Sequence, residues 1–344
     1  MTPGDAKQPM PAGNAPGSPS NQGPARNARP QEGGNSTRKP FTREPFRKDR
    51  PRSGVQLSRT PDYLLIGHVT ADLQPNGEVV LGGTALYSAL TAAKLGARVA
   101  VLTRGVYGRE VAGMKIPDLD QLAHENISIV VQEADVPTTF INEYQADRRV
   151  QTIPHWAGPI DLRGLPPHWR NAKVVHLGPI ADEVDPRQAS GLTSQFLGVT
   201  PQGWMRDWPR STGGRVKHIP LKIPGELLGR IDSAIVSIEE IAWARDVIGQ
   251  VGNRRLGVVT QGADGARIIA GGQRFELPGY KVTIKDLTGA GDVFAAAFFL
   301  KASDRTVSAE TAGRFANAVA ALSLREIGAF GVPSMKQVDE LLAR

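Results

Sequence analysis

An α/β fold is expected, with a mostly parallel central sheet, helices on its faces and a small β-lid. Three observations predict it. Short, almost wholly apolar runs such as Tyr63–Gly67, Val99–Leu102, Lys173–Leu177, Ser233–Ser237 and Leu256–Thr260 recur along the chain. Such runs suit parallel strands buried on both faces. Helical stretches separate several of them, and an Asn76-Gly77 pair between short extended pieces marks a hairpin. The third is a strand-turn-helix unit. Val282-Thr283-Ile284-Lys285 alternates like a half-buried strand. Asp286-Leu287-Thr288-Gly289-Ala290-Gly291-Asp292 turns sharply, and Val293 to Leu300 is an eight-residue apolar run that reads as a core helix.

The 344 residues suffice for one large α/β domain. With no Cys, disulfides, thiolate metal sites and cysteine nucleophiles are excluded. No apolar run approaches the ~18 residues of a membrane span. The first residues lack the apolar core of a signal peptide, so a cytoplasmic protein is expected. The net charge of +7 is local. Residues 1–60 hold 11 Lys+Arg against 4 Asp+Glu, which leaves 30 of each sign elsewhere. They also hold 10 of the 26 prolines, so this stretch is expected to be a disordered basic tail. Its cluster from Arg38 to Arg52, with Phe41 and Phe46 interleaved, suits nucleic acid or a solvated linker. The linker is favoured, because no RNA-binding module accompanies the cluster.

Order is expected over residues 61–344. After the first strand come His68-Val69-Thr70-Ala71-Asp72, at the edge where open α/β sheets bind ligands. Asp72 is therefore a candidate to bind substrate hydroxyls. Leu81-Gly82-Gly83-Thr84-Ala85 leads into a helix that ends near Gly96. A helix from Leu119 to Glu125 and a strand from Ile127 follow. Residues 137–144 and 149–153 read as two strands that, with the hairpin at about 72–82, build the lid. Such a lid excludes water from a reaction. His176 reads as a core histidine, Trp204 and Trp208 as packing residues of an irregular stretch over 201–218. The six histidines show no metal-ligand spacing. A helix opens at Ile238, with Glu240 as an exposed acid of its first turn or as a functional carboxylate. Residues 312–324 form a further helix.

The chemistry concentrates at 286–292. Glycine permits the sharp turn and a close ligand approach. N–H groups at the new helix start attract anions. Asp292 at the same place is an N-cap or a general base. As a base it would deprotonate a substrate hydroxyl while the N–H groups stabilise a transferring phosphoryl group. A dinucleotide fingerprint fails, because Phe294 stands where its third glycine belongs. No P-loop sequence occurs anywhere.

The string at 286–292 closely resembles the C-terminal signature Asp-Thr-Thr-Gly-Ala-Gly-Asp of the ribokinase (PfkB) family of carbohydrate kinases, with Leu287 in place of the first Thr. The order of strand, hairpin, Gly-Gly and helix over 66–96 resembles the family too, as does the Thr-x-Gly-x-x-Gly spacing at Thr260, Gly262 and Gly265. The resemblance implies a ribokinase-like three-layer sandwich and ATP-dependent phosphorylation of a sugar, polyol or nucleoside hydroxyl. Asp292 would be the base, with the N–H groups of Gly289, Ala290, Gly291 and Asp292 as the anion hole. Asp72, Gly82 and Gly83 would bind the acceptor; Thr260, Gly262, Gly265 and Asn317 would bind the nucleotide. Glu240 would act on Mg²⁺ through water, and Asp286 would hold a monovalent cation such as K⁺. The family's lid often builds a homodimer interface, which nothing in these residues marks. Two positions depart from the pattern. Tyr87 stands where the family has Asn, which changes the pocket's shape and polarity, and Ser237 replaces the Asn of Asn-x-x-Glu, which implies altered metal dependence. These departures also motivate a second reading, a sugar- or nucleotide-binding regulator with little turnover.

Overall fold

The computed structural model describes residues 60–124, 126–145 and 148–343. The expected tail, with its basic cluster, lies outside the described residues apart from Thr60.

In chain order, β1 (Tyr63–Ile66), β2 (Thr70–Leu73) and β3 (Val79–Gly82) precede helix α1 (Thr84–Lys94). Strand β4 (Val99–Gly105), a short hairpin of β5 (Arg109–Val111) and β6 (Met114–Ile116), and β7 (Ile127–Glu133) follow. Next come β8 (Thr139–Gln145), β9 (Arg148–His155), β10 (Val174–Leu177), α2 (Pro186–Ala189) and β11 (Phe196–Val199). Three two-residue strands, β12 (Arg206–Asp207), β13 (Gly214–Arg215) and β14 (Lys217–His218), lead to α3 (Gly225–Leu228). The chain continues through β15 (Ser233–Ser237), α4 (Ile241–Arg254), β16 (Leu256–Thr260), β17 (Ala266–Ala270) and β18 (Gln273–Leu277). Helices α5 (Ala290–Ala302), α6 (Ala309–Ser323) and α7 (Met335–Leu342) complete it.

The main sheet has nine strands in the order β18-β17-β16-β15-β11-β10-β1-β4-β7. From β16 to β7 every pairing is parallel; β17 and β18 are antiparallel. Side chains alternate across a strand, and here both faces are buried. Tyr63 and Leu65 point to one core with α1, α5 and α6 residues. Leu64 and Ile66 point to the other, with Trp169 and α4 residues such as Val247 and Val251. This makes the three layers. The apolar run that announced α5 is buried from Val293 to Phe299, as expected for a helix in the middle of a core. Close packing reaches the backbone: a Cβ on Gly198 of β11 would fall 2.5 Å from the Phe299 ring.

A second sheet of five strands, β13-β9-β8-β2-β3, forms the expected lid. The Asn76-Gly77 hairpin joins β2 to β3, with Gly77 at φ 84°. β8 and β9 pair antiparallel, and β2 runs parallel to β8.

A buried carboxylate ties the base of this sheet to the main one. Glu183 accepts hydrogen bonds from the backbone N–H groups of His68 (2.8 Å), Ile180 (3.0 Å) and Ala181 (2.7 Å). These come from the loops that leave β1 and β10. Glu183→Ala would strand three buried donors, each worth about 1–3 kcal/mol. We expect it to lower unfolding stability by at least about 3 kcal/mol in a guanidinium melt; a loss under about 1 kcal/mol would contradict this account.

His176 is the core histidine the sequence suggested. Tyr63 Oη and Thr200 Oγ1 lie 2.8 Å from its Nδ1 and Nε2. Burial pushes its pKa down to about 3, and burial also lowers that of His68. Both bind a proton more readily when unfolded, where a histidine titrates near 6.5. Their contribution is thus complete above about pH 6.5 and falls away below it, for His176 down towards pH 3 at up to about 1.4 kcal/mol per pH unit. Denaturant midpoints at pH 7 and pH 5 should show the fall, and His176→Gln should remove part of the slope.

Several expectations need correction. Val282–Lys285 is not a strand. Its alternation is real, but no strand pairs with it. Thr283, Ile284 and Lys285 are exposed on the path from β18 to α5, and the Lys285 N–H bonds Leu324 O at 2.7 Å. The expected 119–125 helix is a short 3-10 turn over Leu119–Leu122. The stretch 201–218 is more ordered than expected: a 3-10 turn covers Pro201–Met205 and β13 joins the lid. Trp204 and Trp208 are buried there, as packing residues. Helix α4 starts at Ile241, three residues later than expected.

Candidate functional site

The site residues gather where the parallel strands end and the lid begins. At its centre is the start of α5. Gly289 is the N-cap, in the left-handed region at φ 76°. Its neighbours explain the need for glycine: a Cβ there would fall 2.3 Å from Tyr87 Cδ1. Ala290 and Gly291 open the helix, and Gly291 is exposed. Asp292 lies in the first turn, where a negative charge meets the positive helix end.

Helix α1 grips this turn. Thr84 Oγ1 donates to Asp292 Oδ1 at 2.7 Å, and Ser88 Oγ donates to Asp292 O at 3.1 Å. Thr84, Tyr87 and Ser88 share one face of α1 by their i, i+3, i+4 spacing. So the helix that follows Gly82-Gly83 fixes the carboxylate of the proposed base. Sequence reasoning missed Thr84 and Ser88, because nothing local links them to a residue about 200 positions later.

Asp72 stands on β2, with Thr70 Oγ1 donating to its Oδ1 at 2.8 Å. Gly82 pairs with Thr70 across the hairpin, and a Cβ on it would fall 2.6 Å from Asp72 Oδ2. Gly83 is the N-cap of α1 at φ 84°, against His68 O. Asp72, Gly82 and Gly83 therefore form one corner. Tyr87 links that corner to the α5 turn. Burial, then the fields of Asp286, Asp292 and Asp72, push its phenol pKa up.

Asp286 closes its own turn. Its Oδ1 accepts from the Thr288 N–H (2.9 Å) and hydroxyl (2.7 Å), and its Oδ2 from the Gly328 N–H (2.8 Å). Burial would raise its pKa, but these bonds outweigh it and hold the carboxyl below its usual range. The group thus stays anionic, as a cation site requires.

Of the two readings of Glu240, the exposed helix acid does not hold. Glu240 is the N-cap residue, 8% exposed. Its Oε2 accepts the Ser237 N–H at 2.9 Å and its Oε1 accepts Gln202 Nε2 at 2.5 Å. Gln202 is a third residue that sequence reasoning missed. Thr260 pairs with Ser237 across β15 and β16, so the expected nucleotide turn lies beside Glu240. Gly262 and Gly265 have φ 60° and 94°, and a Cβ on Gly265 would fall 2.1 Å from Leu277 O. Asn317 is buried in α6, and its Nδ2 donates to Leu277 O (3.3 Å) and Pro278 O (3.1 Å). Its amide therefore braces the loop that lies against Gly265. Gly265 and Asn317 meet at the loop after β18.

Comparison with known proteins bears on the fold and on the sequence of the C-terminal third. Residues 229–334 match the model of the pfkB family carbohydrate kinases. Over 86 residues the chain is 41% identical to the ribokinase of Bacillus subtilis (strain 168), covering 25% of this chain and 29% of that one. The chain spans between 29% and 56% of the length of the curated relatives it matches. Among solved structures, a pyrophosphate-dependent kinase of the ribokinase family, in a sulfate complex, aligns with a TM-score of 0.65 at 21% identity, over 82% of this chain and 100% of that one. Ribokinase of Arabidopsis thaliana, complexed with ribose and ATP, aligns with a TM-score of 0.57 at 19% identity, over 83% and 99%.

The class is an α/β protein with a ribokinase-like fold. The sequence over 229–334 is similar to the pfkB family carbohydrate kinases, and the described body has the fold of the ribokinase-like structures. No helix among the described residues is long and apolar enough to cross a membrane.

Proposed function

We propose that residues 61–344 are an ATP-dependent kinase that phosphorylates a hydroxyl of a sugar, polyol or nucleoside. The observation that carries this reading is the grip of Thr84 on Asp292 at the start of α5, beside the left-handed Gly289. A carboxylate held there can take the acceptor's proton. The acceptor oxygen then bonds to the γ-phosphorus as the bond from that phosphorus to the β–γ bridging oxygen breaks, and ADP leaves. The N–H groups of Gly289, Ala290, Gly291 and Asp292 meet the charge on the phosphoryl oxygens. Asp72 and the backbone at Gly82 and Gly83 orient the acceptor; Thr260, Gly262 and Gly265 line the nucleotide side, with Asn317 bracing the loop beside it.

Mg²⁺ would supply charge screening at the donor phosphates. Among the described residues no three His, Asp or Glu side chains cluster as a metal cage. Glu240, buried and held by neutral donors, fits an ion that keeps its waters and the donor's phosphates as ligands. Asp286 fits a monovalent cation such as K⁺. The lid excludes water and is the surface to examine for a homodimer. A cytoplasmic location suits an enzyme fed by ATP.

The test is ADP release with ATP and Mg²⁺ over a panel of sugars, polyols and nucleosides, with orthophosphate release read instead where pyrophosphate is the donor. One stimulating acceptor with ATP supports the reading and names the substrate. Tight sugar or nucleotide binding with no turnover on any acceptor or donor would instead support the regulator reading, which Tyr87 and Ser237 motivate.

A further inference from the structure

The Glu240 carboxylate is nearly buried, yet its hydrogen bonds come from an amide and a backbone N–H, neither of which carries charge. None of the ion pairs among the described residues includes it. A desolvated anion with only neutral partners favours a nearby cation. Ser237, three residues earlier, ends β15 and contributes its backbone N–H, and a serine carries no side-chain amide. The amide comes from elsewhere. β11 pairs with β15, so the 3-10 turn after β11 lies beside the turn after β15. Gln202 in that turn brings its Nε2 to Glu240 Oε1.

We propose that Gln202 is a positioning residue for the donor-bound divalent cation, and that it supplies from a neighbouring loop the amide that position 237 lacks. The proposal rests on the kinase reading above. Gln202 does not touch the ion. It fixes the rotamer of Glu240, and so the direction in which Glu240 accepts from the ion's waters. Partners of this kind change metal affinity by about 10–100-fold when removed.

The experiment uses the full chain, Mn²⁺ as the probe and a non-hydrolysable ATP analogue, with free Mn²⁺ read by electron paramagnetic resonance. Gln202→Met keeps the side chain's length and removes its amide. We expect it to weaken Mn²⁺ binding in the analogue complex about tenfold, with analogue binding in chelator unchanged. Adding Ser237→Asn to Gln202→Met should restore affinity to within about threefold of the parent, an outcome that a loss of packing would not give. Glu240→Gln separates the two levels of the argument. If it weakens Mn²⁺ while Gln202→Met does not, the role of Gln202 is overturned and the kinase reading stands. If the loss in Gln202→Met is not rescued by Ser237→Asn, the substitution of one amide for the other is overturned. If Glu240→Gln binds Mn²⁺ like the parent, both the proposal and the role of Glu240 fall.

Discussion

Asp292→Asn should lower kcat for acceptor-stimulated ADP release by about 10²–10⁴-fold, the usual worth of a positioned general base. The substitution is nearly isosteric. Its Oδ1 can still accept from Thr84 Oγ1, and Ser88 still meets the backbone carbonyl, so the start of α5 should keep its shape. What is lost is the ability to take a proton, together with one negative charge beside the phosphoryl group. KM for ATP should change by less than about threefold, because an interaction made only in the transition state leaves ground-state binding alone. Thr84→Val is the companion variant. It keeps the carboxylate and removes the bond that orients it, and about a tenfold loss in kcat is expected, the upper range of one ordinary hydrogen bond. The order of effects matters. If Asp292→Asn retains more than a third of parent activity, Asp292 is a structural acid of the first turn and not the base. If Thr84→Val costs more than Asp292→Asn, the hydroxyl has a part of its own in the chemistry.

Local signals carried most of what the sequence revealed. The buried parallel strands announced themselves because both faces are covered, so β1 is apolar throughout, β10 departs only at His176 and β15 only at its terminal serines. The core helix α5 was legible for the same reason, and the anion turn because its chemistry is packed into seven consecutive residues. What was missed depends on contacts between distant segments. Thr84 with Asp292 and Gln202 with Glu240 are pairs that no composition or period connects. The 282–285 segment shows that alternation without a partner strand is not a strand. Strand β18 shows the reverse: Gln273-Arg274-Phe275-Glu276-Leu277 is a polar edge strand, specified by its pairing with β17 and not by apolar content. Glu240 was placed inside a helix because Ile238 to Ala244 reads as helical; a turn through Ser237 O to the Glu240 N–H (3.0 Å) delays the helix and turns the carboxylate inward. Helix α7 was avoidable as a miss, since Ser334-Met335-Lys336-Gln337 carries a capping box.

Gly289→Ala is the second substitution with a large expected effect, and its origin can be divided. The residue needs φ 76°, which costs an L-amino acid about 1–2 kcal/mol. Its new methyl would also meet the Tyr87 ring, with three ring atoms between 2.3 and 2.6 Å of the Cβ position. That ring is buried and cannot swing aside without disturbing α1, so overpacking adds about 1–3 kcal/mol. Together these predict a loss of roughly 2–5 kcal/mol by chemical denaturation, with phosphoryl transfer abolished because the N–H groups of the turn move. A double-mutant cycle separates the terms. Tyr87→Ala removes the ring and, in the Gly289→Ala background, should return the steric part but not the conformational part. The two substitutions should therefore couple by about 1–3 kcal/mol in stability. Activity should not return in step with stability, since an alanine still resists the left-handed turn that aims the N–H groups. Additive losses would mean that Tyr87 does not brace the turn, and the contact between the acceptor-side helix and the phosphate-side turn would lose its proposed part in the site.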